Sequence, residues 1–328
     1  LPTPLEKNLY RVSLESATEP QLLTKELGWH NAVMSEKADV FVDFRSSPIT
    51  PTQVYLHRGN GDLISTLNAN EVADGHPLFP FKSALVQPEF DSFKSSTGET
   101  IYYALFKPPG FSTSKKYPLI VTGYGGPTAQ MVTKSWPGKR GLMAQVYVQK
   151  GFVVATFDNR GSARRGKKFE GYLKHAFGTV EVDDQVAGVQ HLVSKGYIDS
   201  KRVGFFGWSY GGFLALSLGV KAPDTFKAIV SGAPVTDFAL YDTHYTERYL
   251  GKPQEQPEAY KQANTLPLIP RLKSHLLIIH GMADDNVLFT NSTLLFKKLQ
   301  SSGKLYESVT YPGAKHGVYG KENQTHVY

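Results

Sequence analysis

Three separate stretches of this chain carry side chains that could act together in nucleophilic catalysis. The first is Gly207-Trp208-Ser209-Tyr210-Gly211-Gly212, which follows an apolar run and precedes an apolar, helix-like segment. A Gly-x-Ser-x-Gly turn between a strand and a helix is typical of a nucleophile elbow, because the tight turn exposes the serine hydroxyl. The motif alone is weak in a glycine-rich chain, so the flanking strand and helix are what favour catalysis. A serine hydroxyl is a poor nucleophile unless a base is nearby.

A candidate acid and a candidate base follow downstream. Asp284 lies after the apolar run 276–281, and His316 lies after the strand-like run 307–311. Reactive groups in open α/β sheets lie beyond the carboxyl ends of strands, and the order Ser, Asp, His is the one that α/β-hydrolases use. His316 would take the Ser209 proton, and Asp284 would fix the imidazole tautomer. Alone, each is more commonly a turn or loop residue. His280 is expected to hydrogen-bond near the acid rather than act as the base.

The elements that must position these residues alternate from about residue 85 onward. Alternating strands and helices predict an α/β fold with a mostly parallel sheet. An opening hairpin is predicted from 86–93 and 99–106. Further strands are expected near 118–122, 152–157, 203–207, 227–231, 275–280 and 306–311, and helices near 140–150, 181–195, 210–220, 236–248 and 289–301.

Residues 1–80 have a different pattern. The segments 8–14 and 39–44 alternate like strands, and Gly59-Asn60-Gly61 between 52–58 and 62–65 is a hairpin signal. Short antiparallel strands of this kind predict propeller blades or a sandwich. A small β-appendage of unrelated origin is the alternative.

Composition excludes several functions. The net charge is +7, but the basic residues are scattered and no recognition motif accompanies them, so no nucleic-acid partner is expected. The chain has no cysteine, which excludes disulfides, zinc-thiolate sites and thiol catalysis. No apolar run approaches the roughly 18–20 residues that span a bilayer. No signal peptide is visible at the start of the chain.

Several motifs together resemble the prolyl oligopeptidase family of serine peptidases, and most of all its dipeptidyl-peptidase IV branch. The similarity extends from about residue 98 to the end. It rests on Gly-Trp-Ser-Tyr-Gly-Gly at 207–212, His-Gly-Met-Ala-Asp-Asp-Asn-Val at 280–287, Tyr-Thr-Glu-Arg-Tyr at 245–249, Asp-Asn-Arg-Gly-Ser at 158–162 and Phe-Gly-Thr-Val-Glu-Val-Asp-Asp-Gln at 177–185.

The resemblance implies roles for individual residues. Ser209, Asp284 and His316 match the catalytic triad, and Tyr124 with the backbone N–H of Tyr210 matches the oxyanion donors. The substrate-binding positions implied are Val235, Phe238, Tyr241, Tyr245, Asn286 and Val287. Aromatic and β-branched walls suit the flat ring of proline, and alanine would fit loosely. Phe238 departs from the tryptophan often found there. Without the resemblance, Tyr124 would be interpreted as a structural aromatic residue and Asn286 as a turn residue. The apolar pocket positions would be interpreted as ordinary core residues of an amphipathic helix.

The resemblance also implies an organisation. Residues 1–80 would be the last blade or blades of an incomplete β-propeller, and 81–328 an α/β-hydrolase catalytic domain whose final helix, starting near Gly320, is truncated. The acidic residues that anchor a substrate's free amino group lie in the family's propeller, and residues 1–80 show no matching acidic pair. No cofactor or metal is implied. A homodimer and a periplasmic or secreted location are expected.

The sequence therefore predicts a serine peptidase that releases N-terminal dipeptides after proline or alanine. An oligopeptidase or acylaminoacyl peptidase of the broader family is an alternative, and so is an esterase of the same fold. A non-catalytic binding protein is a further alternative, because fold does not fix function.

Overall fold

The structure is a computed structural model that describes residues 3–327. The strands are β1 (Tyr10–Arg11), β2 (Gln21–Leu22), β3 (Trp29–Met34), β4 (Val40–Ser47), β5 (Thr50–Arg58), β6 (Leu63–Asn68), β7 (Glu89–Lys94), β8 (Thr100–Phe106), β9 (Tyr117–Gly123), β10 (Val153–Asp158), β11 (Ile198–Trp208), β12 (Ala228–Gly232), β13 (His275–Gly281) and β14 (Glu307–Tyr311). The helices are α1 (Gly138–Gln149), α2 (Lys167–Glu170), α3 (Val180–Ser194), α4 (Tyr210–Lys221), α5 (Thr243–Leu250), α6 (Pro257–Ala263), α7 (Thr290–Ser301) and α8 (Lys321–Val327). Short 3₁₀ segments cover Phe79–Ala84, Gly171–Leu173, Phe238–Leu240 and Leu266–Arg271.

The described residues form two compact units, one from 3–89 with 132–149 and the other from 90–131 with 150–327. The larger unit contains an eight-stranded sheet in the order β14-β13-β12-β11-β9-β10-β8-β7. Every adjacent pair from β14 to β10 in this order is parallel, and β10 pairs antiparallel with β8. The carboxyl ends of the parallel strands therefore meet at one edge. This is the mostly parallel sheet that the alternating pattern predicts, and it has the α/β-hydrolase architecture.

The core of the larger unit explains why these runs form parallel strands. β10 buries Val153, Val154, Ala155 and Phe157, so both faces of the strand are covered, as expected of a parallel strand with helices on each side. The helix α4 is buried from Tyr210 to Val220. An apolar helix that starts directly after β11 thus fixes the position of the residue between them, which is Ser209.

The smaller unit has an antiparallel sheet in the order β3-β4-β5-β6. The Gly59-Asn60-Gly61 turn joins β5 to β6, and Arg58 N–H donates to Asp62 O at 2.8 Å. Helix α1 belongs to this unit, where the Gln145 side chain bonds both the N–H and the C=O of Val86 at 2.8 Å. A β-rich antiparallel region therefore precedes the parallel sheet, as predicted.

Two element predictions were wrong. The helix expected over 236–248 is a 3₁₀ turn, Phe238–Leu240, followed by α5, because Asp237 and Asp242 each cap a new helical start through Ala239 N–H and Tyr245 N–H. The strand expected over 8–14 is only β1, two residues long. No helix within residues 3–327 has the length and apolar character needed to cross a membrane.

Candidate active site

Ser209 lies at the turn between β11 and α4. Its φ is +62° and its ψ is −120°, a conformation that non-glycine residues rarely adopt. Its N–H donates to Gly232 O at 2.8 Å, and its C=O accepts from Phe213 N–H at 3.0 Å. A Cβ at Gly207 would lie 2.1 Å from Gly211 O, so only glycine permits this close approach. The geometry is that of a strained elbow with the serine at its apex.

The candidate acid and base are hydrogen-bonded to each other. His316 Nδ1 lies 2.7 Å from Asp284 Oδ2, and the imidazole is 22% exposed whereas the carboxylate is fully buried. Trp208 Nε1–H donates to His316 O at 2.9 Å, which ties the base loop to the residue before Ser209. The structure therefore brings the ends of β11, β13 and β14 together and places the three predicted triad residues on one edge.

His280 supports the acid from behind. Its Nε2 lies 3.0 Å from Asp284 Oδ2 and 2.9 Å from Val287 O, and its Nδ1 lies 2.7 Å from Ser292 Oγ. Because both neighbours of Nε2 are acceptors, Nε2 carries a proton and donates it. The ring is fully buried, and both of its nitrogens already have hydrogen-bond partners, so neither is available to the nucleophile.

The carboxylate of Asp284 is held in its charged form. Burial would raise its pKa, but hydrogen bonds from His280, His316 and the Asn286 N–H outweigh burial and hold the pKa well below its ordinary value. Asn286 N–H and Val287 N–H both donate to Oδ1, at 2.9 and 3.0 Å. A charged, fixed acid is what orienting His316 requires.

The predicted oxyanion residues lie next to each other. Tyr124 follows β9, and its ring centroid is 5.9 Å from that of Tyr210, the first residue of α4. Gly126 fits between the two rings, since a Cβ there would lie within 2.8 Å of both. The loop is anchored by Asn159, whose Nδ2 donates to Gly125 O at 3.0 Å. The N–H groups of a helix's first turn have no intrahelical acceptor, so the Tyr210 amide is suited to bind an anion.

The predicted pocket residues form one apolar cluster. Val235 and Phe238 are nearly fully buried, and Tyr241 and Tyr245 are half-buried. Successive rings contact edge to face, Phe238 with Tyr241 at 6.3 Å and Tyr241 with Tyr245 at 5.5 Å. The cluster also includes Tyr124, Tyr210, Phe177, Phe213 and Val287. An aromatic-lined cluster beside the elbow suits a small, flat apolar group.

Asn286 lies at the exposed rim of this cluster. Its Oδ1 accepts from Tyr241 Oη–H at 2.7 Å, and its N–H is committed to Asp284. It is therefore both a turn residue and a polar group beside the pocket. Its predicted role in holding a substrate carbonyl stays a prediction.

The sequence predicted no role for two residues that the structure places at this cluster, Phe177 as a member and Glu181 as a hydrogen-bond partner of Tyr210. Phe177 packs against Phe238 at 4.9 Å and Tyr210 at 5.0 Å. Glu181 accepts a hydrogen bond from Tyr210 Oη at 2.9 Å. The signal available was the acidic residue in the first turn after Gly178-Thr179, but such residues usually serve only their own helix. Within residues 3–327 there is no group of three side chains suited to bind a metal ion.

Comparison with known proteins agrees with this architecture. Residues 139–328 match the model of the prolyl oligopeptidase family, and residues 2–52 match that of the dipeptidyl peptidase IV (DPP IV) N-terminal region. Dipeptidyl peptidase 8 of Homo sapiens is 37% identical over 99% of this chain and 37% of its own length, and dipeptidyl peptidase 4 of Bos taurus is 29% identical over 99% and 43%. Dipeptidyl peptidase 4 of Porphyromonas gingivalis superposes with a TM-score of 0.93, at 29% identity over 99% of this chain and 45% of that one. A putative dipeptidyl aminopeptidase IV from Bacteroides ovatus gives a TM-score of 0.85, at 34% identity over 94% and 43%. The chain thus spans less than half the length of these relatives.

Proposed function

Because the chain belongs to the prolyl oligopeptidase family, we propose that it carries the catalytic part of a serine peptidase that releases N-terminal dipeptides after proline or alanine. Ser209 attacks the substrate carbonyl while His316 accepts its proton, and an acyl-enzyme forms as the amine leaves with that proton. Water then attacks the acyl-enzyme, and the dipeptide is released. The observation that carries the proposal is the Asp284–His316 pair at 2.7 Å beside the strained Ser209 turn.

The remaining roles follow from position. The Tyr210 amide and the Tyr124 hydroxyl stabilise the oxyanion, a contribution of about 3–4 kcal/mol for a single donor in other serine hydrolases. Val235, Phe238, Tyr241, Tyr245 and Val287 form the slot for the residue before the scissile bond. Asn286 binds the carbonyl of the residue before that one. The names of the relatives support a dipeptidyl peptidase over an esterase of the same fold.

We further infer, from the family resemblance, that the protein is a homodimer located in the periplasm or secreted. Light scattering coupled to gel filtration measures the first inference directly. Fractionation of the source cells measures the second.

Hydrolysis of Ala-Pro-p-nitroanilide tests the proposed chemistry. We expect Ser209→Ala to abolish turnover and to block labelling by a fluorophosphonate, with an unchanged circular dichroism spectrum. The loss of a triad nucleophile costs on the order of 10⁶-fold in kcat in a well-studied serine peptidase. Turnover that survives in Ser209→Ala would refute the mechanism.

A further inference from the structure

Glu181 is a buried carboxylate that the proposed reaction does not use. It lies in the first turn of α3 and has no exposed surface. Burying a carboxylate is costly unless hydrogen bonds replace its water. Three donors replace it here, namely the N–H groups of Gly178 and Thr179 and the hydroxyl of Tyr210, at 2.5, 2.9 and 2.9 Å. The first two bonds are local to the helix start, whereas the third reaches the nucleophile elbow.

The segment that Glu181 holds is also fixed from its other side. Lys221 Nζ donates to Gly178 O at 2.6 Å and to Gln262 O at 3.2 Å. Burial raises the pKa of Glu181, and the bonds from Gly178, Tyr210 and Thr179 act against that rise. The start of α3 and the end of α4 are thus joined around one buried acidic group.

The partner of Glu181 is the residue that follows the nucleophile. The ring of Tyr210 lies between Phe177 at 5.0 Å, Phe213 at 5.2 Å and Phe238 at 6.0 Å. Its hydroxyl is bonded to Glu181, so the ring is fixed at both its face and its tip. A ring that is held at its face and at its tip restrains the Cα of Tyr210, and with it the first turn of α4 that carries the Tyr210 amide.

We propose that Glu181 is a positioning residue, which holds the Tyr210 side chain so that the Tyr210 amide points at the developing oxyanion. This inference rests on the proposed function, which makes that amide an oxyanion donor. Glu181 also connects the pocket to the oxyanion donor. It accepts from Gly178 N–H, and the preceding residue, Phe177, is part of the aromatic cluster. A donor misplaced by a fraction of an ångström stabilises the transition state less, while ground-state binding changes little.

Glu181→Gln, Tyr210→Phe and the double variant test the proposal. Asp183→Asn is the matched control, because Asp183 is an exposed acid in the same helical turn. The readouts are kcat and KM for Ala-Pro-p-nitroanilide per active site titrated with a fluorophosphonate, and the second-order rate of that labelling. We expect each single variant to lower kcat about tenfold, because each breaks the buried Glu181–Tyr210 hydrogen bond, with KM changed less than about threefold.

The double variant decides between a shared and a separate effect. If Glu181 acts through Tyr210, the kcat of the double variant is within about twofold of the kcat of the less active single variant. The kcat of the Asp183→Asn control is then within about twofold of the wild-type value. Additive losses would overturn the proposal. So would an unchanged kcat per titrated site with only a lower melting temperature, because Glu181 would then be structural alone.

The design separates this proposal from the proposed function. If the wild type labels with the fluorophosphonate but does not hydrolyse the peptide, the peptidase assignment fails, and the labelling rates still test the Glu181–Tyr210 bond. If Glu181→Gln does not fold, Tyr210→Phe breaks the same bond from the other end. An unchanged kcat and labelling rate in Tyr210→Phe would overturn the proposal.

Discussion

Asp284 shows how a single buried residue can join stability to the candidate chemistry. Its carboxylate accepts from His280 and His316 at Oδ2 and from Asn286 N–H and Val287 N–H at Oδ1. Four donors around a fully buried carboxylate favour its charged form. The same bonds that would orient His316 for catalysis therefore make the fold sensitive to acid.

The pH dependence of stability tests this arrangement. A carboxyl group whose pKa is lower in the folded protein stabilises the fold above its unfolded pKa, about 3.9 for Asp, and that contribution is lost as the pH falls through the folded value. We expect the difference in urea midpoint between wild type and Asp284→Asn to be constant from about pH 5 to 7 and to shrink below about pH 4. Ser209→Ala is the control, since it removes no group that titrates in this range.

A difference between wild type and Asp284→Asn that stays constant down to about pH 2 would contradict the assigned network.

The sequence could predict those candidate residues whose position depends on local context. Ser209, Asp284 and His316 each lie in the turn or loop that follows a strand, so alternation and chain order predicted that they meet at one edge. Glu181 was not predicted, because its role comes from a contact with Tyr210, 29 residues away in the chain. Nothing local distinguishes it from an ordinary acid in a first helical turn.

At the scale of elements, the close approach of α4 to the Tyr124 loop sets the geometry of the site. A Cβ on Gly211 would lie 2.5 Å from Gly123 O and 3.2 Å from the Cα of Tyr124. Both are backbone atoms, so the helix or the loop would have to move. The glycines of the motif therefore serve the packing of two elements as well as the turn.

Gly211→Ala should consequently separate the two proposed oxyanion donors. We expect kcat for Ala-Pro-p-nitroanilide to fall more than about tenfold, because a misplacement near 1 Å costs up to about 100-fold. Gly204→Ala on β11 is the matched control, since a Cβ there has no neighbour closer than 3.4 Å. It should change kcat less than about twofold, because an added Cβ there makes only ordinary van der Waals contact and no element has to move. Equal effects of the two substitutions would argue against the packing explanation.

The break between 236 and 248 shows what periodicity misses at this scale. The apolar spacing of Phe238, Tyr241 and Tyr245 fits one continuous helix. Two side-chain caps, from Asp237 and Asp242, start separate helical segments instead. The three rings nevertheless pack into one cluster. The side-chain caps favour two short helical segments, whereas the apolar spacing favours one long helix. The structure shows that the caps determine the outcome.

Across the whole chain, alternation of strands and helices was enough to predict the parallel sheet, whereas residues 1–80 were predicted as short antiparallel strands of propeller blades or a sandwich. Its strand β6 is exposed along its full length, and β3 has one buried residue. Strands with so little buried surface carry a weak alternation signal. The strand that became β6 was predicted from the adjoining Gly59-Asn60-Gly61 turn, whereas β3 has no such turn signal and was not predicted. The division at residue 80 proposed from sequence stays a prediction.

Recognition of a substrate's free amino group depends on residues far from the triad. A dipeptidyl peptidase must recognise a charged amine two residues before the scissile bond, which requires acidic side chains at that distance. No two acidic residues are adjacent in residues 1–80, and the resemblance places the anchoring acids in a propeller. We therefore expect these 328 residues to hold the chemistry and the proline slot without the anchor.

Comparing Ala-Pro-p-nitroanilide with its N-acetylated form measures this directly, with Ser209→Ala as the blank. Acetylation removes the charge and leaves the proline and the scissile bond in place. Without an anchor, kcat/KM for the two substrates should agree within about threefold. With one, the free amine should be favoured by about tenfold or more, since a hydrogen bond to a charged group contributes about 1.5–3 kcal/mol. A preference of that size would place the anchoring carboxylates within this chain and would refute the expectation that they lie outside it.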